Sequence, residues 1–491
     1  MLFLEGDYIY SPLTNMIVKV PEVVRDILHY RIQGKSDDDI IKELTSSYPV
    51  EKIKLALKEI DEYNRKIGLF SLKRPYFKRA AFPHSPTEIR EHLENKLSHM
   101  ILDITWDCNL ACKYCKFSGI YEGERVNTGV YMDKKIIEKA LLFFKSHSGL
   151  SERVSLGFYG GEPLLAFDNI RYAVNLAENL FRDKPIRFSL TTNGTLLANG
   201  KIRRFLKEHN FSLNVSIDGP QSIHDRYRVT RAQKPTFQLI KRNLCKFKEE
   251  FPDYFERKVG YIITLAPPFD LKSISRFINL WECKTHAPVF VSLVDPYDTD
   301  FYKNFTKEEI EEFDRQIEEL VNKTLKEDIP DGIVDDFLYQ FLYKDLFIYH
   351  NSPKGRLSEE FLIGGFCIPG HDRTFIAPDG SIYPCEKVHY HLKIGDIFNG
   401  FNFDRINEIV QEVESLRNKN CLDCPIARLC NICYAHIYRN EKLREDLFRR
   451  TCKSKMKYWE KLLGVYAKVK EINPGFFDLS YIAGKGGRQD G

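Results

Sequence analysis

The sequence predicts an α/β chain built on a parallel sheet, open or barrel-like, with a small winged-helix-like module ahead of it and a cysteine-rich region behind it. Three observations carry this. Six strand-like runs alternate with amphipathic helical patterns between residues 99 and 305. The first 72 residues read as a strand, a turn, a strand and three helical periods. Seven of the twelve cysteines lie between Cys367 and Cys452.

At 491 residues the chain is long enough for about three domains. Hydrophobic residues are 43% and charged residues 29%, which excludes wholesale disorder. A net charge of +4 is too balanced to imply a polyanionic partner. No stretch approaches the ~20 apolar residues of a membrane span. The opening MLFLEGDYIY has no basic segment and meets Glu5 and Asp7, so no secretory signal is expected and the expected address is the cytoplasm.

In the first module, residues 1–72, Tyr8–Tyr10 and Met16–Val20 are expected strands around a Pro12–Asn15 turn. Pro21 opens a helix to about Tyr30. Ser36 caps a second helix to about Ser46. A third runs from about Val50 to Lys66, its apolar face made of Ile53, Ala56, Leu57, Ile60, Tyr63 and Ile67, with Gly68 as C-cap. Residues 73–98 are a charged bridge. The expected sheet strands are Met100–Thr105, Arg153–Phe158, Ile186–Thr191, Phe211–Ile217, Lys258–Leu265 and Pro288–Val294. Lys134–Phe144 and Ile202–Glu208 are among the intervening helices. Residues 306–359 form a mostly helical connector, 360–460 the cysteine-rich region, and 461–491 a tail whose end, Gly484–Gly491, reads as disordered.

Disulfides explain clustered thiols poorly in a reducing compartment; metal explains them better. Cys108, Cys112 and Cys115, spaced C-x3-C-x2-C, directly follow a strand, where parallel α/β folds build their sites. Three thiolates on one loop can hold three corners of a [4Fe–4S] cube and leave the fourth iron open to a small molecule. Structural zinc normally has four closed ligands, which fits this trio less well.

On these motifs, over residues 99–300, the sequence resembles the radical S-adenosylmethionine (SAM) superfamily. The resemblance implies a partial (β/α)6 barrel, in which SAM chelates the open iron and is cleaved to methionine and a 5′-deoxyadenosyl radical. Tyr114 matches the family's aromatic residue and is implied to lie near the adenine. Gly160-Gly161-Glu162-Pro163 is implied to receive the SAM amino group, the glycines allowing close approach and Glu162 accepting from the ammonium. Thr192 and Asn193, at a third strand end, offer polar groups for a ribose. Ser216 is similar to a SAM-contacting position. Arg228, favoured over Arg231, offers a guanidinium for the SAM carboxylate. Taken singly, each of these motifs reads as a capped turn; their order after successive strands argues against that.

The later cysteines resemble the SPASM extension of peptide-modifying relatives, which usually carries two auxiliary [4Fe–4S] clusters. Carried over, Cys421, Cys424, Cys430 and Cys452 hold one, and Cys367, Cys385 and Cys433 hold the other. The family's last spacing is x3, and here Cys430 to Cys433 is x2. The second set has only three thiols, so either another residue completes it or one iron is open to a substrate thiolate. The competing reading is a pair of zinc ribbons. Cys245 and Cys283 are read as structural, in helical context.

The module at 1–72 carries ten Lys and Arg against twelve Asp and Glu, too acidic for DNA. It resembles the recognition element by which maturases of ribosomally made peptides bind a precursor's leader, adding a strand to a sheet edge. A plain structural cap is the alternative. The leading expectation is a radical SAM maturase that joins a cysteine of the core peptide to a carbon through a thioether. It implies three [4Fe–4S] clusters, SAM, a precursor peptide and a low-potential electron donor such as a flavodoxin or ferredoxin, with no nucleic acid and no membrane partner. The segment Cys115–Tyr121 also looks like the loop of thioether-forming maturases. Carbon–carbon crosslinking, formylglycine formation, a zinc-stabilised winged-helix regulator and a non-catalytic peptide scaffold are the alternatives. No catalytic base is identifiable by spacing.

Overall fold

Three short antiparallel strands open the chain: β1 (Leu2–Phe3), β2 (Tyr8–Ser11) and β3 (Met16–Lys19), in the order β1-β2-β3. Helices α1 (Glu22–Ile32), α2 (Asp37–Leu44) and α3 (Val50–Ile67) follow. The expected caps are present: Ser36 Oγ accepts from Asp39 N at 3.2 Å, and Gly68 closes α3 at φ +78°. Pro21 sits one residue earlier than expected, as the N-cap of α1. Tyr63 is 51% exposed, so it stands off the apolar face of α3. Ile9, Ile27, Ile40, Ile53 and Ile60 form the module's own core. The structure is a computed structural model that describes residues 1–326, 337, 339 and 343–477.

The charged bridge is structured. It holds β4 (Arg79–Ala81) and α4 (Pro86–Asn95), the latter started by a capping box between Ser85 and Glu88. Six parallel strands then alternate with helices: β5 (His99–Thr105), α5 (Lys134–Ser146), β6 (Val154–Gly160), α6 (Phe167–Leu180), β7 (Ile186–Thr192), α7 (Gly200–Glu208), β8 (Ser212–Ser216), α8 (Gln221–Tyr227), α9 (Phe237–Glu250), α10 (Pro252–Lys258), β9 (Val259–Leu265), α11 (Leu271–Leu280) and β10 (Val289–Leu293). The apolar residues of β5 to β9 are mostly buried under helices, as parallel sheets require, whereas β10 at the sheet's end leaves Phe290 and Leu293 exposed. The result is a partial (β/α)6 barrel.

Helices α12 (Lys307–Lys326) and α13 (Lys344–Asn351) agree with the helical connector; the residues between them are mostly outside those described, as is the end Gly484–Gly491. The cysteine-rich region contributes β11 (Glu360–Leu362), β12 (Thr374–Ile376), β13 (Ser381–Tyr383), β14 (Gly395–Asp396), β15 (Gly400–Phe401), α14 (Phe403–Asn420) and, after two short strands, α15 (Glu445–Ile472). It is joined to the barrel by backbone hydrogen bonds. β12 pairs in parallel with β5, giving one ten-stranded sheet in the order β10-β9-β8-β7-β6-β5-β12-β13-β14-β15. β4 pairs with β11 in the same way. Cys245 is on α9 as expected, but Cys283 lies in the turn beyond α11, because that helix stops at Leu280; the two sulfurs are 2.8 Å apart.

The module is fastened to the body through its β2–β3 turn. Buried Asn15 accepts from Tyr10 Oη at 3.0 Å and donates to Ser352 Oγ at 2.8 Å and to the Pro353 carbonyl at 3.0 Å. It sits at φ +52°, where asparagine is tolerated better than most residues. Asn15→Ala is therefore expected to cost about 3 kcal/mol and to loosen the module. Hydrogen exchange should show faster exchange over residues 8–19 with the barrel strands unchanged.

Candidate functional site

The loop after β5 carries Cys108, Cys112 and Cys115, and its neighbours hold it in place. Ala111 N donates to the Val229 carbonyl at 2.8 Å, Lys113 N to the Tyr227 carbonyl at 3.0 Å, and Asn109 Nδ2 to Thr195 Oγ1 at 2.8 Å. Burial pushes the Cys108 thiol up to about 12 and the Cys112 thiol to about 11, and raises Cys115; the three feel one another's charge. All are free thiols. A bound metal would reverse this by taking the sulfurs as thiolates.

Gly160, the last residue of β6, and Gly161 after it run against this loop. Gly161 N donates to the Thr105 carbonyl at 2.9 Å and Glu162 N to the Asp107 carbonyl at 2.8 Å. A Cβ on Gly161 would stand 2.1 Å from the Asp107 oxygen and 3.0 Å from Cys108 Cβ. Glu162 is 0% exposed. It accepts from Thr192 Oγ1 at 2.7 Å, Asn193 N at 2.7 Å and Leu164 N at 3.1 Å. Burial pushes its carboxyl up to about 6 against those donors. Of Thr192 and Asn193, read from sequence as ribose contacts, the Thr192 hydroxyl and the Asn193 backbone N–H point at Glu162, while the Asn193 side chain donates to Asn109 Oδ1 and accepts from Thr195. Ser216 is half-buried at the end of β8.

Tyr114, Asp218 and Arg228 form a second buried group. Tyr114 Oη donates to Asp218 Oδ2 and accepts from Arg228 Nη1 at 2.8 Å. Burial works against the Arg228 charge, but Tyr114, Cys112 and Asp218 beside it hold the proton on. Its Nε is buried without a hydrogen-bond partner, so one donor is left for an acceptor. Arg231 instead reaches Asp107 Oδ1 at 2.5 Å from an exposed position.

A third group was not read from the sequence. Asp103, in the middle of β5, is 0% exposed. It accepts from Trp106 Nε1 at 2.6 Å and from Tyr390 Oη, and lies 3.5 Å from Arg125 Nη2. Arg125 also donates from Nε to Tyr390 Oη at 3.1 Å and lies over the Phe117 ring at 3.7 Å. Arg125 acts electrostatically on Cys115, and Tyr390 follows Cys385 by five residues, so this group ties the two cysteine regions together. The one available signal was an acid inside the apolar run ILDIT.

The seven later cysteines separate into two sets. Cys452 has Cys421, Cys430 and Cys424 as electrostatic neighbours, and Cys424 has Cys421 and Cys430. Cys385 has Cys433 and Cys367, and Tyr434 is beside all three, its Oη 3.4 Å from Cys367 Sγ. Arg417, buried on α14, directs Nη1 at Cys430 Sγ at 3.3 Å and at Cys421 Sγ at 3.8 Å. Among the described residues no three His, Cys, Asp or Glu converge closely enough to hold a single metal ion. Ligands to the corners of a cube stand farther apart than ligands to one ion, and these sets offer only sulfur, the donor that iron–sulfur clusters take. The residues present therefore fit such clusters.

A family model described as the Radical SAM superfamily matches residues 103–280. A cysteine-type anaerobic sulfatase-maturating enzyme of Clostridium novyi is 27% identical over 349 residues, 68% of this chain and 87% of that protein. A serine-type anaerobic sulfatase-maturating enzyme of Bacteroides thetaiotaomicron is 32% identical over 192 residues, 39% of this chain and 46% of that protein. Among solved structures, native anSMEcpe with bound AdoMet superposes with a TM-score of 0.54 at 20% identity, covering 76% of this chain and 99% of that one, which shows a shared fold.

Two outcomes follow from the geometry. Gly161→Ala should push the cysteine loop away from β6 and reduce iron loading at that loop at least tenfold, measured by iron content and by the signal of the reduced cluster. The second concerns pH. An acid whose folded pKa lies above its unfolded value holds more protons folded than unfolded between the two, so stability falls as pH rises across that window. For Glu162 the window runs from the ordinary 4.5 to about 6, and the metal-free protein should lose about 2 kcal/mol across it. Urea midpoints at either side of the window measure this, and Glu162→Gln should remove the slope.

Proposed function

We infer the function from one premise: the chain is a radical SAM enzyme related to the anaerobic sulfatase-maturating enzymes. We propose that it matures a ribosomally made peptide by closing a thioether between a core-peptide cysteine and a carbon. When bound, SAM and the clusters supply the chemistry: the cleaving electron, the 5′-deoxyadenosyl radical that takes a substrate hydrogen, and the acceptor for the electron released as the carbon–sulfur bond closes.

The chain's residues do the placing. Cys108, Cys112 and Cys115 hold the SAM cluster. Glu162, fixed by Thr192 and the Asn193 amide, receives the SAM ammonium, and that cation keeps its carboxylate ionised. Arg228 offers its unpaired Nε to the SAM carboxylate. Tyr114 packs near the adenine and Ser216 contributes from the end of β8. Cys421, Cys424, Cys430 and Cys452 hold one auxiliary cluster, and Cys367, Cys385 and Cys433 the other. The leader adds a strand to β3, the longer of the two edge strands of the module's sheet. A flavodoxin or ferredoxin supplies electrons.

The observation that carries the thioether reading is the trio Cys367, Cys385 and Cys433. Three thiols gather around Tyr434 with no fourth cysteine beside them among the described residues, and Asp103 and Arg125 link this trio to the first loop. A substrate thiolate is the natural fourth ligand. The peptide substrate class is supported by a related structure, anSMEcpe with bound AdoMet and Cp18Cys peptide, at 20% identity. The second reading, oxidation of a cysteine or serine side chain in a protein, is favoured by the length of the match to the sulfatase-maturating enzyme.

Mass spectrometry of a Cys-containing precursor treated with reduced enzyme and SAM separates the two. The thioether reading expects loss of two hydrogens per crosslink with the thiol no longer alkylated. A carbonyl product that reacts with hydrazide would establish the second reading instead. Unmodified precursor alongside vigorous SAM cleavage would rule out both for that peptide.

A further inference from the structure

Arg417 is 2% exposed. Its Nη2 donates to the Ile432 carbonyl at 2.8 Å, and its guanidinium carbon stands 5.5 Å from the centre of the Phe448 ring. Its remaining contacts are the Cys430 and Cys421 sulfurs. Among the described residues no carboxylate pairs with it. A buried cation without an anion is costly, by several kcal/mol. A carbonyl and two sulfur contacts are all that the chain itself offers against it. A cluster held by four thiolates offsets it, because it is a net anion at this position.

We propose that Arg417 is the fixed counter-cation of the cluster held by Cys421, Cys424, Cys430 and Cys452, and that it sets that cluster's reduction potential. This rests on the ligand set assigned above. Reduction adds one electron, and so one negative charge, to an already anionic cluster. A guanidinium fixed against two of its sulfurs stabilises the reduced form more than the oxidised form. Hydrogen bonds to cluster sulfurs act in the same direction. The three-thiol set has Tyr434 beside it; Arg417 also acts electrostatically on Cys433, but its hydrogen bonds to sulfur go to Cys430 and Cys421. Arg417 therefore makes the four-thiol cluster the more easily reduced of the two auxiliary clusters.

The test is an anaerobic redox titration of the reconstituted full chain followed by electron paramagnetic resonance. Cys424→Ala first identifies the signal, by removing it together with the iron of one cluster. If that variant keeps all its iron and every signal, the ligand assignment fails and this inference falls with it. If the signal is identified, Arg417→Gln should lower its midpoint by about 59 mV, which is a tenfold fall in the reduced-to-oxidised ratio at fixed poise for one electron. Arg417→Lys, which keeps the charge but loses the fork, should shift it less in the same direction. The signal of the three-thiol cluster, whose sulfurs Arg417 does not hydrogen-bond, should move less, and that of the cluster at Cys108, Cys112 and Cys115 should not move. A midpoint unchanged in Arg417→Gln, with full iron loading, overturns the proposal. Should Arg417→Gln fail to fold or load, Arg417→Lys decides alone: a lower midpoint supports the proposal and an unmoved one overturns it.

Discussion

Asp103 places a carboxylate inside an apolar strand, and donors 3, 22 and 287 residues along the chain have to meet it there. Trp106 comes from the start of the cysteine loop, Arg125 from its far limb, and Tyr390 from beyond Cys385. A buried, unpaired carboxylate is costly, so the folded state is one in which all three arrive together. β5 itself cannot shift to relieve the demand, because β6 pairs with it on one side and β12 on the other. The spacing between the first cysteine loop and the trio around Tyr434 is thereby fixed by backbone ladders and one polar cluster. A reaction that passes from one site to the other needs that fixed spacing.

The thiols show a second constraint. Burial raises Cys108, Cys112, Cys385 and Cys424, so in the metal-free chain these thiols are neutral and pack as small apolar groups. Metal binding converts the same positions into anions. The surrounding charges suit the second state better than the first: Arg228 stands beside Cys112, and Arg417 beside Cys421 and Cys430. Folding and cluster loading are coupled for this reason.

Much of this was legible in the sequence because it was local. The barrel strands announced themselves as short apolar or alternating runs, the fullest being β5, which is buried on both faces. Cysteine spacing marked the two thiol-rich regions, the family resemblance supplied the interleaved sets within the second, and Ser36 and Gly68 gave their caps. Other features failed to show for identifiable reasons. β1 and β4 are two and three residues long, too short for any periodicity. α4 had a readable start in Ser85 and Glu88, which the surrounding charge obscured. Trp106 and Tyr10 stand close in sequence to Asp103 and Asn15, but Tyr390 and Ser352, which complete the two clusters, lie 287 and 337 residues away, so no window of sequence contains them. Thr192 and Asn193 were legible as polar strand-end residues; that the Thr192 hydroxyl and the Asn193 backbone N–H point at Glu162 became visible only once β6 and β7 lay side by side.

The central claim is that three sulfurs on the loop after β5 hold an iron cluster with one corner left for SAM. Anaerobic reconstitution of the full chain followed by SAM and a strong reductant tests it most directly. The account predicts release of 5′-deoxyadenosine and methionine, lost together with that loop's iron when Cys112 is replaced by alanine. A fully iron-loaded protein that leaves SAM intact under strong reduction would contradict it.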